Sequence, residues 1–192
     1  MRTILLSLLC SSLALTQPNQ TQPTSPDTGK VRMIQGKYVF FHNQPVAPYD
    51  VAFSFASIYT PSEQMNINTI ISSAMTAALT EAGAQLKPFD GIIIQPGARD
   101  IAIKFKDTVS QTDKPLATVL RQGGVYLFEY CDPIKDYKVL KTEKVAWYNF
   151  MFGGAFYTLA QVEANLVKSA QKKSETQAVI FNETASYVSY KD

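Results

Sequence analysis

Gly36-Lys37-Tyr38-Val39-Phe40-Phe41, followed by Pro45-Val46 and Tyr49-Asp50-Val51, returns at a constant offset of 88 as Gly124-Val125-Tyr126-Leu127-Phe128-Glu129, Pro133-Ile134 and Tyr137-Lys138-Val139. Gly, Tyr, Phe, Pro, Tyr and Val recur in one register without a gap. With a slightly changed offset, Gly91-Ile92-Ile93-Ile94 pairs with Ala178-Val179-Ile180-Phe181, and Ile103-Lys104-Phe105-Lys106-Asp107 pairs with Val188-Ser189-Tyr190-Lys191-Asp192. Self-similarity of this kind decides the fold before any local pattern does. It implies two copies of one α+β unit, at 31–107 and 119–192, joined by a linker at 108–118.

Within the first copy, Tyr38 to Phe41 is aromatic and β-branched, and Val51 to Phe55 alternates large with small, the period of a half-buried strand. A helix is expected to start at Thr60, with Pro61 and Glu63 completing a capping box, and to stop at Gly83. Two further strands flank the turn Gln95-Pro96-Gly97-Ala98. The order is β-β-α-β-β. Tyr38 to Phe41 and Ile92 to Ile94 are apolar at consecutive positions, so both faces of those strands need cover, and one helix covers only one. The expected architecture is two tandem units about a pseudo-two-fold, their sheets packed together and their helices outside.

The 192-residue chain has 46% apolar and 18% charged residues, which places it in the globular class. A net charge of +2 supplies no electrostatic footprint for nucleic acid. Met1-Arg2-Thr3, the apolar run Ile4 to Cys10 and small residues to Thr16 have the layout of a secretory signal peptide, with cleavage after Ala14 or after Thr16. The run is too short for a transmembrane segment. Bulky Leu9 ahead of Cys10 favours export over lipidation. Residues 17–30 are rich in Gln, Thr, Pro and Ser and read as a flexible tether. After cleavage Cys131 is the lone thiol, so stability must come from burial and not from a disulfide.

The copies differ between the second strand and the helix. Thr158-Leu159-Ala160-Gln161 keeps the capping signal at an offset of 98 from Thr60, an apparent insertion of ten residues. The insertion falls within 145–157, where six of thirteen residues are aromatic. Such a stretch folds back as a lid over the core or fills the seam between the copies, forms a recognition patch, for which Trp, Tyr, Phe and Met are the usual material, or makes a single amphipathic membrane contact. Trp147, Tyr148, Phe150, Phe152, Phe156 and Tyr157 are therefore the candidate ligand- or partner-binding residues.

Catalytic chemistry is sparse. His42 ends the first strand and Cys131 lies one step past the equivalent position, so a thiol–imidazole pair is the one nucleophilic arrangement on offer. One His and two Cys exclude the ordinary zinc frameworks, and Gly123-Gly124 precedes a strand, the wrong context for a phosphate cradle. Neither a metal nor a cofactor is expected.

Ala77-Ala78-Leu79-Thr80-Glu81-Ala82-Gly83-Ala84 and Phe89-Asp90-Gly91-Ile92-Ile93-Ile94, within residues 74–105, resemble the helix and following strand of small bacterial heavy-metal-binding domains of β-α-β organisation. The resemblance implies that fold element alone; copy two departs from it, with Glu175-Thr176-Gln177-Ala178 before the strand.

The function expected from these features is noncatalytic: a periplasmic or secreted module that binds a protein or small ligand through the aromatic stretch, without nucleic acid. The alternatives are a thiol-dependent hydrolase using Cys131 and His42, and a structural envelope protein that self-associates into homo-oligomers.

Overall fold

The computed structural model describes residues 28–57, 66–95, 98–107, 115–145, 148–149 and 155–191. The chain is a mixed α+β protein, mostly strands, with two large sheets and two helices among the described residues. The first sheet is built from β1 (Thr28–Ile34), β2 (Lys37–Phe41), β3 (Tyr49–Phe55), β4 (Gly91–Ile94), β5 (Asp100–Phe105) and β6 (Leu116–Thr118), in the order β3-β5-β4-β2-β1-β6. The second contains β7 (Leu120–Gln122), β8 (Val125–Glu129), β10 (Tyr137–Lys144), β13 (Ala178–Phe181) and β14 (Thr184–Tyr190), in the order β10-β14-β13-β8-β7. β9 (Cys131–Pro133) joins them, pairing with β1. Parallel pairs occur at β2–β4 and β8–β13, each reached through a helix, α1 (Ile67–Gln85) or α2 (Leu159–Gln171).

Each sheet carries a strand the hydrophobic pattern misses. β1 hairpins onto β2 and β7 onto β8, so a strand precedes the first expected strand in each case, and Thr28–Lys30, assigned by composition to the tether, are the opening of β1. Leu116–Thr118, assigned to the linker, pair with β1 through Thr28↔Thr118, Gly29↔Ala117 and Lys30↔Leu116. In both sheets the edge pairing has a register shift, between Val51 and Phe53 and between Val139 and Lys141. Left-handed backbone occurs at Gln35, Gly36 and His42, and again at Gly123, Gly124 and Tyr130.

The helix ends differ in how well they were foreseen. Helix α2 begins as expected: Gln161 N donates to Thr158 Oγ1 at 3.3 Å and Thr158 N to Gln161 Oε1 at 2.8 Å, a complete capping box. Helix α1 instead starts after Asn66, whose side chain accepts from Asn68 N at 2.9 Å. The expected cap at Thr60, with Pro61 and Glu63, lies outside the described residues. At the other end α1 runs through Gly83 and stops where Leu86 turns left-handed, φ 53°, its N–H closing on Ala82 O. The observed caps, Asn66 and Thr158, are 92 positions apart, so the ten-residue insertion measured from Thr60 is not the spacing of the helices themselves.

One apolar cluster joins the helix-bearing faces of both sheets: Val39, Phe41 and Ile92 with Ile71 of α1, and Leu127 and Phe181 with Val162 of α2. Fully burying a side chain of this size contributes about 1.5–3 kcal/mol before entropy is charged. The helix-free faces do not form one shared layer. Tyr38, Phe40, Ile93 and Phe105 are covered by Val31, Ala117, Ala47 and Tyr49, whereas Phe128, Ile180 and Val188 make a separate cluster with Cys131. The expectation that the sheets pack through those faces is thus corrected, because the missed strands β1 and β6, Ala47 in the loop before β3 and Tyr49 at the start of β3 supply the cover.

Candidate functional site

The seam between the sheets collects polar groups that lie far apart in sequence. His42 follows β2 in the left-handed region, φ 55°, a conformation that costs a residue with a Cβ and turns the chain sharply out of the strand. Its ring stacks on Phe41 with centroids 4.2 Å apart. Nδ1 of His42 is 3.4 Å from Glu163 Oε1, on α2, and 3.7 Å from Glu129 Oε2, at the end of β8. The three side chains are 9%, 12% and 2% exposed, so the charges sit largely out of water. Asn43 Nδ2 donates to Glu129 O at 3.1 Å and tethers the end of β8 to the turn after β2.

Burial alone would make His42 less basic, but the two carboxylates outweigh it and raise its pKa to about 9. Burial pushes Glu129 up to about 7 against the pull of His42. Glu163, although partly buried, is held below the usual carboxylate range by His42 and by hydrogen bonding with Glu129. The cluster is an imidazolium shared between two carboxylates, of which Glu129 gives up its charge first.

His42 also lines a cavity of about 510 Å³. Its apolar wall includes Phe41, Ile70, Ile94 and Leu159, and Tyr157 closes the α2 end. Arg99 and Asp100 contribute polar groups. Asp100 accepts from Ser57 Oγ and from Gln95 N at 3.1 Å, and is bound into the wall by those contacts. Such a volume, mainly apolar with a few convergent polar groups, suits a small organic molecule.

Of the residues singled out in sequence, Tyr157 lines this cavity. Tyr148 and Phe156 are Cα partners in the short hairpin of β11 (Tyr148–Asn149) and β12 (Ala155–Phe156). Trp147, Phe150 and Phe152 lie outside the described residues. Cys131 is 1% exposed, its Sγ is 3.8 Å from Asn43 Nδ2, and burial drives its thiol pKa far up, opposite to the activation a nucleophilic thiol needs. Asp132 is held by Arg32, whose Nη2 and Nε lie 2.7 and 3.1 Å from its carboxylate oxygens.

Sequence reasoning did not find Glu129 or Glu163. A signal for Glu129 was present: it closes the apolar run Val125-Tyr126-Leu127-Phe128 and stands 88 positions after Phe41, the offset of the repeated motif, so a charge sits where an apolar residue is expected. Glu163 carried none, being one polar residue on a helix.

No family model, curated protein or solved structure matches the chain. No helix of the described residues is long and apolar enough to cross a membrane.

Proposed function

We propose that this is an exported, noncatalytic binding protein made of two tandem copies of one unit about a pseudo-two-fold, taking a small, largely apolar ligand in the cavity at their seam. The observation that carries the binding reading is the cavity of about 510 Å³, to which Phe41, Ile70 and Ile94 contribute from one copy and Tyr157 and Leu159 from the other. Tyr157 ends the aromatic stretch, which connects the cavity to the most unusual part of the sequence.

Supporting the duplication, the order β3-β5-β4-β2-β1 in the first sheet matches β10-β14-β13-β8-β7 in the second, and left-handed residues recur 88 apart at Gln35 and Gly123, Gly36 and Gly124, and His42 and Tyr130. The edge-strand register shifts fall at corresponding places, around Ala52 and Leu140. Exchange of the copies maps Thr28↔Thr118 onto Lys30↔Leu116 and Gly29↔Ala117 onto itself, as an axis through the β1–β6 ladder requires.

Titration with the dye anilinonaphthalene sulfonate tests the cavity. One saturable site per chain is expected, abolished by Leu159→Arg in a variant that retains its far-UV spectrum. Unchanged dye binding by that folded variant overturns the assignment. Export is tested on cell fractions by mass spectrometry, with a mature N-terminus after Ala14 or Thr16 expected and retention of Met1 in the full population counting against it.

A further inference from the structure

We infer that His42, Glu129 and Glu163 form a binding site for one divalent first-row transition cation, with Nδ1 of the imidazole and one oxygen of each carboxylate as ligands. The three donor atoms lie within 4.8 Å of one another. Nδ1 stands 3.4 and 3.7 Å from the two carboxylate oxygens, beyond the usual N–H···O range of about 2.7–3.2 Å. A tetrahedral ion with bonds of about 2.0–2.2 Å separates its ligand atoms by roughly 3.3–3.6 Å, so the spacing fits a shared cation better than direct hydrogen bonds.

A second, independent observation points the same way. Oε1 of Glu129 has no hydrogen-bond partner among the described residues, although the side chain is only 2% exposed. A buried carboxylate oxygen in that condition costs free energy, which a cation in the cluster would recover. Two carboxylates and a neutral imidazole sum to a charge of −2, which one divalent ion cancels inside the core. An imidazole among the ligands favours zinc, iron, nickel or copper over magnesium and calcium, which prefer oxygen throughout.

The ligands are preorganised. His42 is fixed by its left-handed backbone and by stacking on Phe41, and Glu129 by the Asn43 bond to its carbonyl. Because His42 also lines the cavity, the ion would sit in its wall with coordination left for water or for a donor atom of an occupant. None of the three residues falls in the 74–105 stretch that resembles metal-binding domains. The inference also stands without the ligand-binding reading.

Protein stripped with a chelator is dialysed against zinc, and bound metal is counted; cobalt serves as the spectroscopic probe. One zinc per chain is expected, with a cobalt ligand-field spectrum and a rise in melting temperature. Glu163→Gln, at the most exposed of the three positions, and Glu129→Gln should each weaken zinc binding by more than the roughly 10–100-fold that loss of an outer partner costs. Glu143→Gln, a carboxylate outside the cluster, should leave it unchanged. Absence of stoichiometric zinc on the wild-type chain overturns the inference, and so does zinc binding retained in both cluster variants. Dye binding in the cavity is read separately, so failure of either proposal is distinguishable from failure of the other.

Discussion

Asn43 Nδ2 lies 3.8 Å from Cys131 Sγ, and the two residues are 88 positions apart, the same separation as the repeated strand motifs. Under the proposed duplication they are one position of the ancestral unit meeting itself at the axis. The same asparagine nitrogen donates to Glu129 O, so the contact that brings the halves together also holds a member of the His42 cluster. Under that duplication the seam has diverged into polar chemistry on one side and a buried thiol on the other.

The buried thiol gives the first test. Cys131 is 1% exposed, and burial holds its thiolate form far out of reach. Ellman's reagent should label native protein only as fast as it opens, and should label the denatured chain completely. Stoichiometric labelling of the native state within the mixing time would contradict the packing and revive a thiol nucleophile.

A Cβ on Gly29 would stand 2.8 Å from Cys131 Sγ and 3.2 Å from Phe128. Gly29→Ala should therefore destabilise the protein by about 1–3 kcal/mol through overpacking. Removing the sulfur in Gly29→Ala/Cys131→Ala should relieve part of that cost, appearing as a favourable coupling energy in a double-mutant cycle from urea denaturation. Additive single effects would mean that the strain is carried by the backbone and not by the sulfur.

The second strand of each unit, the parallel strand after each helix and the capping box at Thr158 were legible because apolar runs and caps are local signals. Thr158→Ala should cost about 1 kcal/mol, measured by thermal or urea denaturation. β1 was illegible for a physical reason: its charged side chains, Lys30 and Arg32, interrupt any apolar pattern, and its stability comes from pairing with β2, β6 and β9 and from the Arg32–Asp132 pair. The candidate site was less legible still. Its three charged members come from a turn, a strand end and a helix, brought together only by tertiary packing.

Alkaline pH should probe the second sheet through Tyr187. Burial, together with hydrogen bonding to Glu143, pushes its pKa up to about 12 from the ordinary 10, so the native state keeps a proton that the unfolded chain releases. The stabilisation is fully present below about pH 10 and declines as pH rises toward 12. Urea denaturation across that interval should show a steeper loss for the native sequence than for Tyr187→Phe, whose overall stability will be lower at neutral pH. Parallel curves would remove Tyr187 as the source.

The His42 cluster predicts an asymmetry between its members in chelator-treated protein. His42→Ala leaves the ionised Glu163 without its cation, and stripping one side of a buried charge pair costs about 3–5 kcal/mol. Glu129→Gln removes a carboxyl that burial already brings to a pKa of about 7, so at pH 6 the amide replaces a group that is mostly neutral. Its cost should be under about 1.5 kcal/mol, the scale of one ordinary hydrogen bond. Urea midpoints at pH 6 decide the matter: equal losses for the two variants would mean that Glu129 is ionised in the fold and that the cluster is an ordinary ion triad.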